Sequence, residues 1–174
     1  MKRLLKYFVL TIIIVLLGFF SIGLIHPSYS YSNTLEIDCS LEEAFDAFTD
    51  ESIAHKWLIG YKKYEIIEGA PNQPGSKFLM KFENEGQPFE IVKTLTVFKE
   101  NEEFSYELET DDFNENIQVL FEGSYPCKIT THTYNKGAST FYCSMFYLMK
   151  SALIEQSQEN YDTLKELIEK QHRY

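Results

Sequence analysis

A run of 19 residues without a charge, Tyr7 to Ile25 (YFVLTIIIVLLGFFSIGLI), constrains this chain before anything else does. At about 1.5 Å per residue, a helix over that run reaches across roughly the 30 Å hydrocarbon layer of a bilayer. Two readings fit. A secretory signal peptide has a shorter apolar region and a small-x-small cleavage site, for which Ser28-Tyr29-Ser30 is a poor candidate. An uncleaved anchor over 7–25 fits the length better. In both cases Lys2, Arg3 and Lys6 precede the run, and the next Lys or Arg is Lys56. That asymmetry predicts a basic cytoplasmic N-terminus over 1–6 and a domain on the other side of the membrane. His26-Pro27 ends the helix, and 26–32 reads as a short tether.

The remainder is acidic. Removing Lys2, Arg3 and Lys6 from the 16 basic residues leaves 13 against 26 acidic ones, none of which precedes Glu36. Phosphate backbones demand clustered Lys and Arg, so nucleic acid is excluded as a partner. Cys39, Cys127 and Cys143 are too few for a disulfide scaffold and lack metal-site spacing. They read as small buried hydrophobes, and if an oxidising compartment forms one bridge, Cys127–Cys143 is the expected pair.

Residues 33–39 alternate Leu35, Ile37 and Cys39 against Glu36 and Asp38, the mark of a half-buried strand. Ser40 stands three residues before Glu43, a capping box, and Leu41, Ala44, Phe45 and Phe48 then recur at helical spacing. Asp50 reads as a second N-cap, with Ile53 and Trp57 one turn apart on a second short helix that ends near Gly60. A meander follows: strands over 61–68, 77–84, 89–98, near 104–108, 117–121 and 127–134, broken by turn residues. Asp111–Asn116 reads as a polar turn. From about Thr140 to Lys170 the period changes to three and four, predicting one helix. Its first half (FYCSMFYLM) is apolar nearly all round and calls for a concave partner, which a curved sheet supplies. Residues 171–174 are a tail.

This order resembles the helix-grip fold of the START-like (SRPBCC) superfamily, on its polyketide cyclase/dehydrase-like branch. The likeness rests on SLEEAFDAFTD (40–50) leading into HKWLIGY (55–61), EGAPNQPGSKF (68–78), TTHTYNKG (130–137) and FYLMKSALIEQSQENYDTLKELIEK (146–170). It covers nearly all of residues 33–170. The resemblance implies an α+β domain whose curved antiparallel sheet wraps a long C-terminal helix, with two short helices after the first strand. Here an N-terminal transmembrane helix is added. It further implies an elongated apolar cavity between sheet and helix that takes lipids, sterols, polyketides or other hydrophobic ligands. The superfamily has no common catalytic residue set to carry over.

The residues themselves lead to the same cavity. Strand faces bearing Phe78, Met80, Phe82, Phe104, Tyr106, Val119 and Phe121 must oppose Met145, Met149 and Leu153 of the long helix. Phe45 and Trp57 close the space from the short helices, and Tyr64, Tyr106 and His132 are candidates to orient a ligand's polar end. Faces this large either fill each other as a solid core or leave a pocket with a few polar groups. Glu100 to Glu115 carry eight acids that alternate with rings, which reads as a solvated outer face. No GxSxG, HExxH, P-loop or dinucleotide fingerprint occurs, and no cofactor or metal is expected. Three functions stay open. The first is a membrane-anchored binding protein for a hydrophobic small molecule or lipid. The second is a cyclase-type enzyme, which needs His132 inward as a general base. The third is an interaction module with a filled core.

Overall fold

The computed structural model describes residues 2–171. A helix, α1 (Lys2–Ile25), leads directly into β1 (Ser28–Ile37). Next come α2 (Leu41–Thr49) and a single 3₁₀ turn (Ala54–Lys56). Six strands follow: β2 (Tyr61–Glu68), β3 (Lys77–Asn84), β4 (Gln87–Lys99), β5 (Glu103–Glu109), β6 (Phe113–Gly123) and β7 (Cys127–Gly137). The chain closes with α3 (Thr140–Gln171). Five hairpins place β2 to β7 in spatial sequence, and β1 pairs antiparallel with β7 to give the order β1-β7-β6-β5-β4-β3-β2.

That topology forces the roof of the molecule. The chain leaves β1 at one edge and must re-enter at β2 on the other, about 29 Å away across six strand spacings. Residues 38–60 make this crossing over the concave face. The turn into α2 is set by the expected capping box: Glu43 N–H donates to Ser40 Oγ (3.3 Å), and Ser40 N–H donates to the Glu43 carboxylate (2.9 Å). Phe45 and Phe48 then point down onto the sheet. They meet Phe121 edge to face at 5.0 and 5.7 Å, and Tyr161 of α3 stacks beside Phe48 and Trp57. Leu164, Ile168, Ile37, Val119 and Ile129 complete a solid core at this end of the sheet.

Several elements differ from expectation. The segment read as a tether is the first half of β1: Tyr29 and Tyr31 alternate with Ser28, Ser30 and Ser32, and Ser28 pairs with Lys136. Only Pro27 and its neighbours separate α1 from the sheet. The expected second short helix is present, as the 3₁₀ turn Ala54–Lys56. The strand after the acidic turn starts at Phe113, and β7 runs on to Gly137. Cys127 faces Cys39, with sulfurs 3.1 Å apart, because Ile37 and Cys127 are register partners; Cys143 instead lies against the carbonyls of Pro27 and Gly137. All three thiols are free and buried, so the expected Cys127–Cys143 pairing is corrected. His172 and the end of the tail lie outside the described residues.

The first half of α3 also has a partner other than the sheet. Phe141 meets Phe19, Ser144 meets Gly23 and the Tyr147 ring stacks on His26 at 4.0 Å, so α3 starts alongside the end of α1 and runs parallel to it. Gly23 permits this approach, since a Cβ there would collide with Ser144 and the Thr140 carbonyl. The Ser144 hydroxyl accepts from Gly23 N–H (2.9 Å) and lies 2.7 Å from the Phe19 carbonyl oxygen.

Candidate functional site

Beyond the solid core, α3 and the 3₁₀ segment leave part of the concave face uncovered. A cavity of about 380 Å³ lies between the end of α2, the β2–β3 loop and the sheet, and is lined by Tyr64, Phe78, Leu95 and Phe104 together with Thr49 and Asn72. A recess of about 80 Å³ adjoins it under Trp57, Met80, Phe82, Tyr106 and Leu108. A third space of about 170 Å³ shares Trp57, Tyr106 and Leu108 and runs beneath Leu153, Ser157 and Tyr161 of α3. The recess shares walls with each of the other two, so the three spaces lie in series along the concave face and together make up its aromatic-sided hollow.

One charge pair stands at its centre. Lys93 is 7% exposed, on β4 between the inward-facing Ile91 and Leu95. Its Nζ lies 2.6 Å from Glu51 Oε1 and 5.0 and 5.1 Å from the ring centres of Phe104 and Tyr106. Ring faces are electron-rich, so this cage suits a cation. Glu51 comes from the crossing segment just after α2, and its other oxygen accepts from the Tyr61 hydroxyl (3.3 Å). Burial, followed by the Glu51 charge, pushes the Tyr61 phenol up, so it stays a donor. Both walls of the main cavity and of the recess include Lys93 and Glu51. The indole Nε1 of Trp57 is a second polar group here, buried without a hydrogen-bond partner. An unpaired buried donor costs stability unless something accepts from it.

Of the residues expected to line the cavity, Trp57, Tyr64, Phe78, Met80, Phe82, Phe104, Tyr106 and Leu153 do surround these spaces. Phe45, Val119 and Phe121 belong to the solid core instead. Met145 and Met149 sit on the half of α3 that accompanies α1, and Met149 is 48% exposed. His132 points to the convex side, because the inward residues of β7 are Cys127, Ile129, Thr131, Thr133 and Asn135. Its Nδ1 lies 2.8 Å from Ser32 Oγ, on the outer face of β1. The hollow therefore receives no base from His132.

The acidic stretch needs one correction. Glu107 and Glu109 are outward, but Glu115 shares its side of β6 with Ile117 and Val119 and is half-buried. Burial pushes its carboxyl up to about 7, against hydrogen bonds from Asn135 and Tyr31 that favour the ionised form. Lys93, Glu51 and Glu115 were each absent from the expected site. Strand parity held the signal for two of them: Lys93 stands two residues from Ile91 and from Leu95, and Glu115 two residues from Ile117.

No family model matches the sequence, and no curated protein matches it. Solved structures do match in fold. Ara h 8.0201 superposes with a TM-score of 0.65 at 12% identity, over 81% of this chain and 97% of its own. A protein of unknown function from Staphylococcus aureus, SA2116, gives 0.67 at 13% identity, over 84% and 97%. The di-domain ARO/CYC StfQ from the steffimycin biosynthetic pathway gives 0.68 at 10%, over 86% of this chain and 53% of its own. The chain thus spans about half of that di-domain protein. At these identities the likeness is one of fold: a seven-stranded antiparallel sheet gripping a long C-terminal helix, the helix-grip fold.

Proposed function

We propose that this helix-grip chain is a membrane-anchored binding protein for an apolar small molecule or lipid with one polar end. The observation that carries this reading is the Lys93–Glu51 pair, enclosed by Phe78, Phe104 and Tyr106 in the wall of the hollow. A solid core has no use for a buried ion pair, whose desolvation offsets most of its attraction. A cavity that takes an amphipathic guest does: the apolar body is buried against rings at about 25 cal/mol per Å², and the polar end finds donors in Lys93 and Trp57 and an acceptor in Glu51. The fold neighbours include ARO/CYC proteins of biosynthetic pathways, which is consistent with such a guest.

Anchoring rests on α1, a 24-residue helix long and apolar enough to cross a membrane and 6% buried over its most hydrophobic window. The basic residues before it favour an orientation with the N-terminus in the cytoplasm and the domain outside. The test is a fluorescence titration. Trp57 is the chain's single tryptophan and lines the hollow. Purified protein is titrated with fatty acids, sterols and quinones. A saturable change in Trp57 emission that weakens in Lys93→Met supports the reading. A flat response across the whole panel removes it.

A further inference from the structure

From Gly137 to Met149, between Lys136 and Lys150, thirteen residues carry no charge. This stretch includes the first ten residues of α3, of which Phe141, Leu148 and Met149 are 47%, 59% and 48% exposed. An apolar patch this concentrated marks an interaction surface. Its position says with what. Phe141 packs on Phe19 and Ser144 on Gly23, both within the charge-free run of α1, and the two helices are parallel. The patch is therefore continuous with the apolar surface of α1 and at the same height along it.

Resting on the reading of α1 as a membrane span, we propose that residues Thr140–Met149 of α3 enter the lipid interface beside α1, so that two helices seat the domain on the bilayer. With the hydrocarbon boundary between Phe19 and Ile25, the Phe141 ring packed on Phe19 sits at or below it, by at most about 9 Å, six residues along the helix. Tyr147, stacked on His26 and lying under the Lys150 ammonium (4.7 Å), falls at the boundary, where rings and snorkelling cations collect. The start of α3 satisfies its own backbone: Tyr142 N–H donates to Ser139 Oγ and Cys143 N–H to the Ser139 carbonyl, as low-polarity surroundings require. Asp111 and Asp112 in the β5–β6 turn limit the depth. The Ala138 N–H donates to the Asp112 carbonyl (2.8 Å) and the Tyr142 phenol bonds the Asp112 carboxylate, so this turn hangs beside the start of α3 and its charges set how far α3 can sink.

The test uses the full chain in phosphatidylcholine vesicles carrying bromines at defined acyl positions, which quench nearby indoles. Single variants Leu17→Trp, Phe141→Trp, Leu148→Trp and Tyr125→Trp are each read as the difference from the parent chain. Tyr125 lies in the β6–β7 turn, at the opposite end of the sheet from α1. The expected order is strongest quenching for Leu17→Trp, a large loss for Phe141→Trp, a smaller one for Leu148→Trp and none for Tyr125→Trp. Quenching of Leu17→Trp with Phe141→Trp and Leu148→Trp as unquenched as Tyr125→Trp overturns this proposal and leaves the anchor standing. An unquenched Leu17→Trp overturns both.

Discussion

Removing Glu51 should cost far more than removing its partner. The Lys93 side chain is 9% exposed and that of Glu51 21%, so the lysine is the more deeply committed member of the pair. Glu51→Ala leaves an ammonium in an aromatic cage with no anion beside it. Breaking a buried pair from one side costs about 3–5 kcal/mol, and the partial exposure of Glu51 favours about 3 kcal/mol. For a chain of this size that lowers Tm by roughly 6–12 °C. Lys93→Met keeps an unbranched stem against Phe104 and Tyr106 and deletes the charge, leaving Glu51 nearer to water and bonded to Tyr61. Its cost should stay within about 1 kcal/mol. The double variant should recover most of what Glu51→Ala loses. Thermal unfolding of the four detergent-solubilised chains, followed by circular dichroism, reads all of this. Equal losses for the two single variants, or no loss for Glu51→Ala, would refute the claim that Lys93 is held as a buried cation.

Further outcomes follow from other parts of the structure. Glu115 titrates near 7 when folded and near 4.5 when unfolded, so the folded state holds the extra proton between those values. Stability should therefore fall as pH rises from about 4.5 to 7 and level off above; urea denaturation across this range should show the slope, and Glu115→Gln should abolish it. Burial raises the thiols of Cys39 and Cys127 above their ordinary range, so both should resist alkylation at pH 8 in the folded chain and react once it is unfolded, by peptide mass mapping. Phe82→Glu should block ligand uptake, whereas Met149→Glu, outside the hollow, should leave uptake in detergent intact; equal effects would contradict the placement of the hollow. Gly23→Val should abolish a Phe19→Cys/Phe141→Cys crosslink that forms readily in its absence, since the valine side chain pushes α3 off α1.

Local patterns carried most of the fold. Ser40 and Glu43 announce the start of α2 because a capping box needs only those two residues at that spacing. The hairpin turns likewise name themselves through residues such as Glu85-Gly86, both at positive φ. Three things were hidden. The Tyr-Ser alternation of 28–32 reads as polar linker until its partner β7 is known, since Tyr serves a buried face and an exposed one equally well. His132 stands among threonines, so no apolar alternation around it fixes which way it faces. The all-round apolarity of FYCSMFYLM does call for a partner, but periodicity cannot say that the partner is α1 rather than the sheet. In the site, the aromatic wall was legible from strand parity. Lys93 and Glu51 were not, because a charge on a strand is read as solvated unless its parity is weighed against its apolar neighbours. Their meeting across 42 residues depends on the crossing segment, which only the sheet order dictates.

The central claim is that the hollow around Lys93 and Glu51 holds one amphipathic guest. Native mass spectrometry of the full chain released from detergent, followed by solvent extraction, tests it most directly. The expected result is a one-to-one adduct whose extract is apolar with a single polar end, and a reduced adduct for Lys93→Met. A wild-type chain that flies empty, and stays empty after incubation with fatty acids, sterols and quinones, would contradict it.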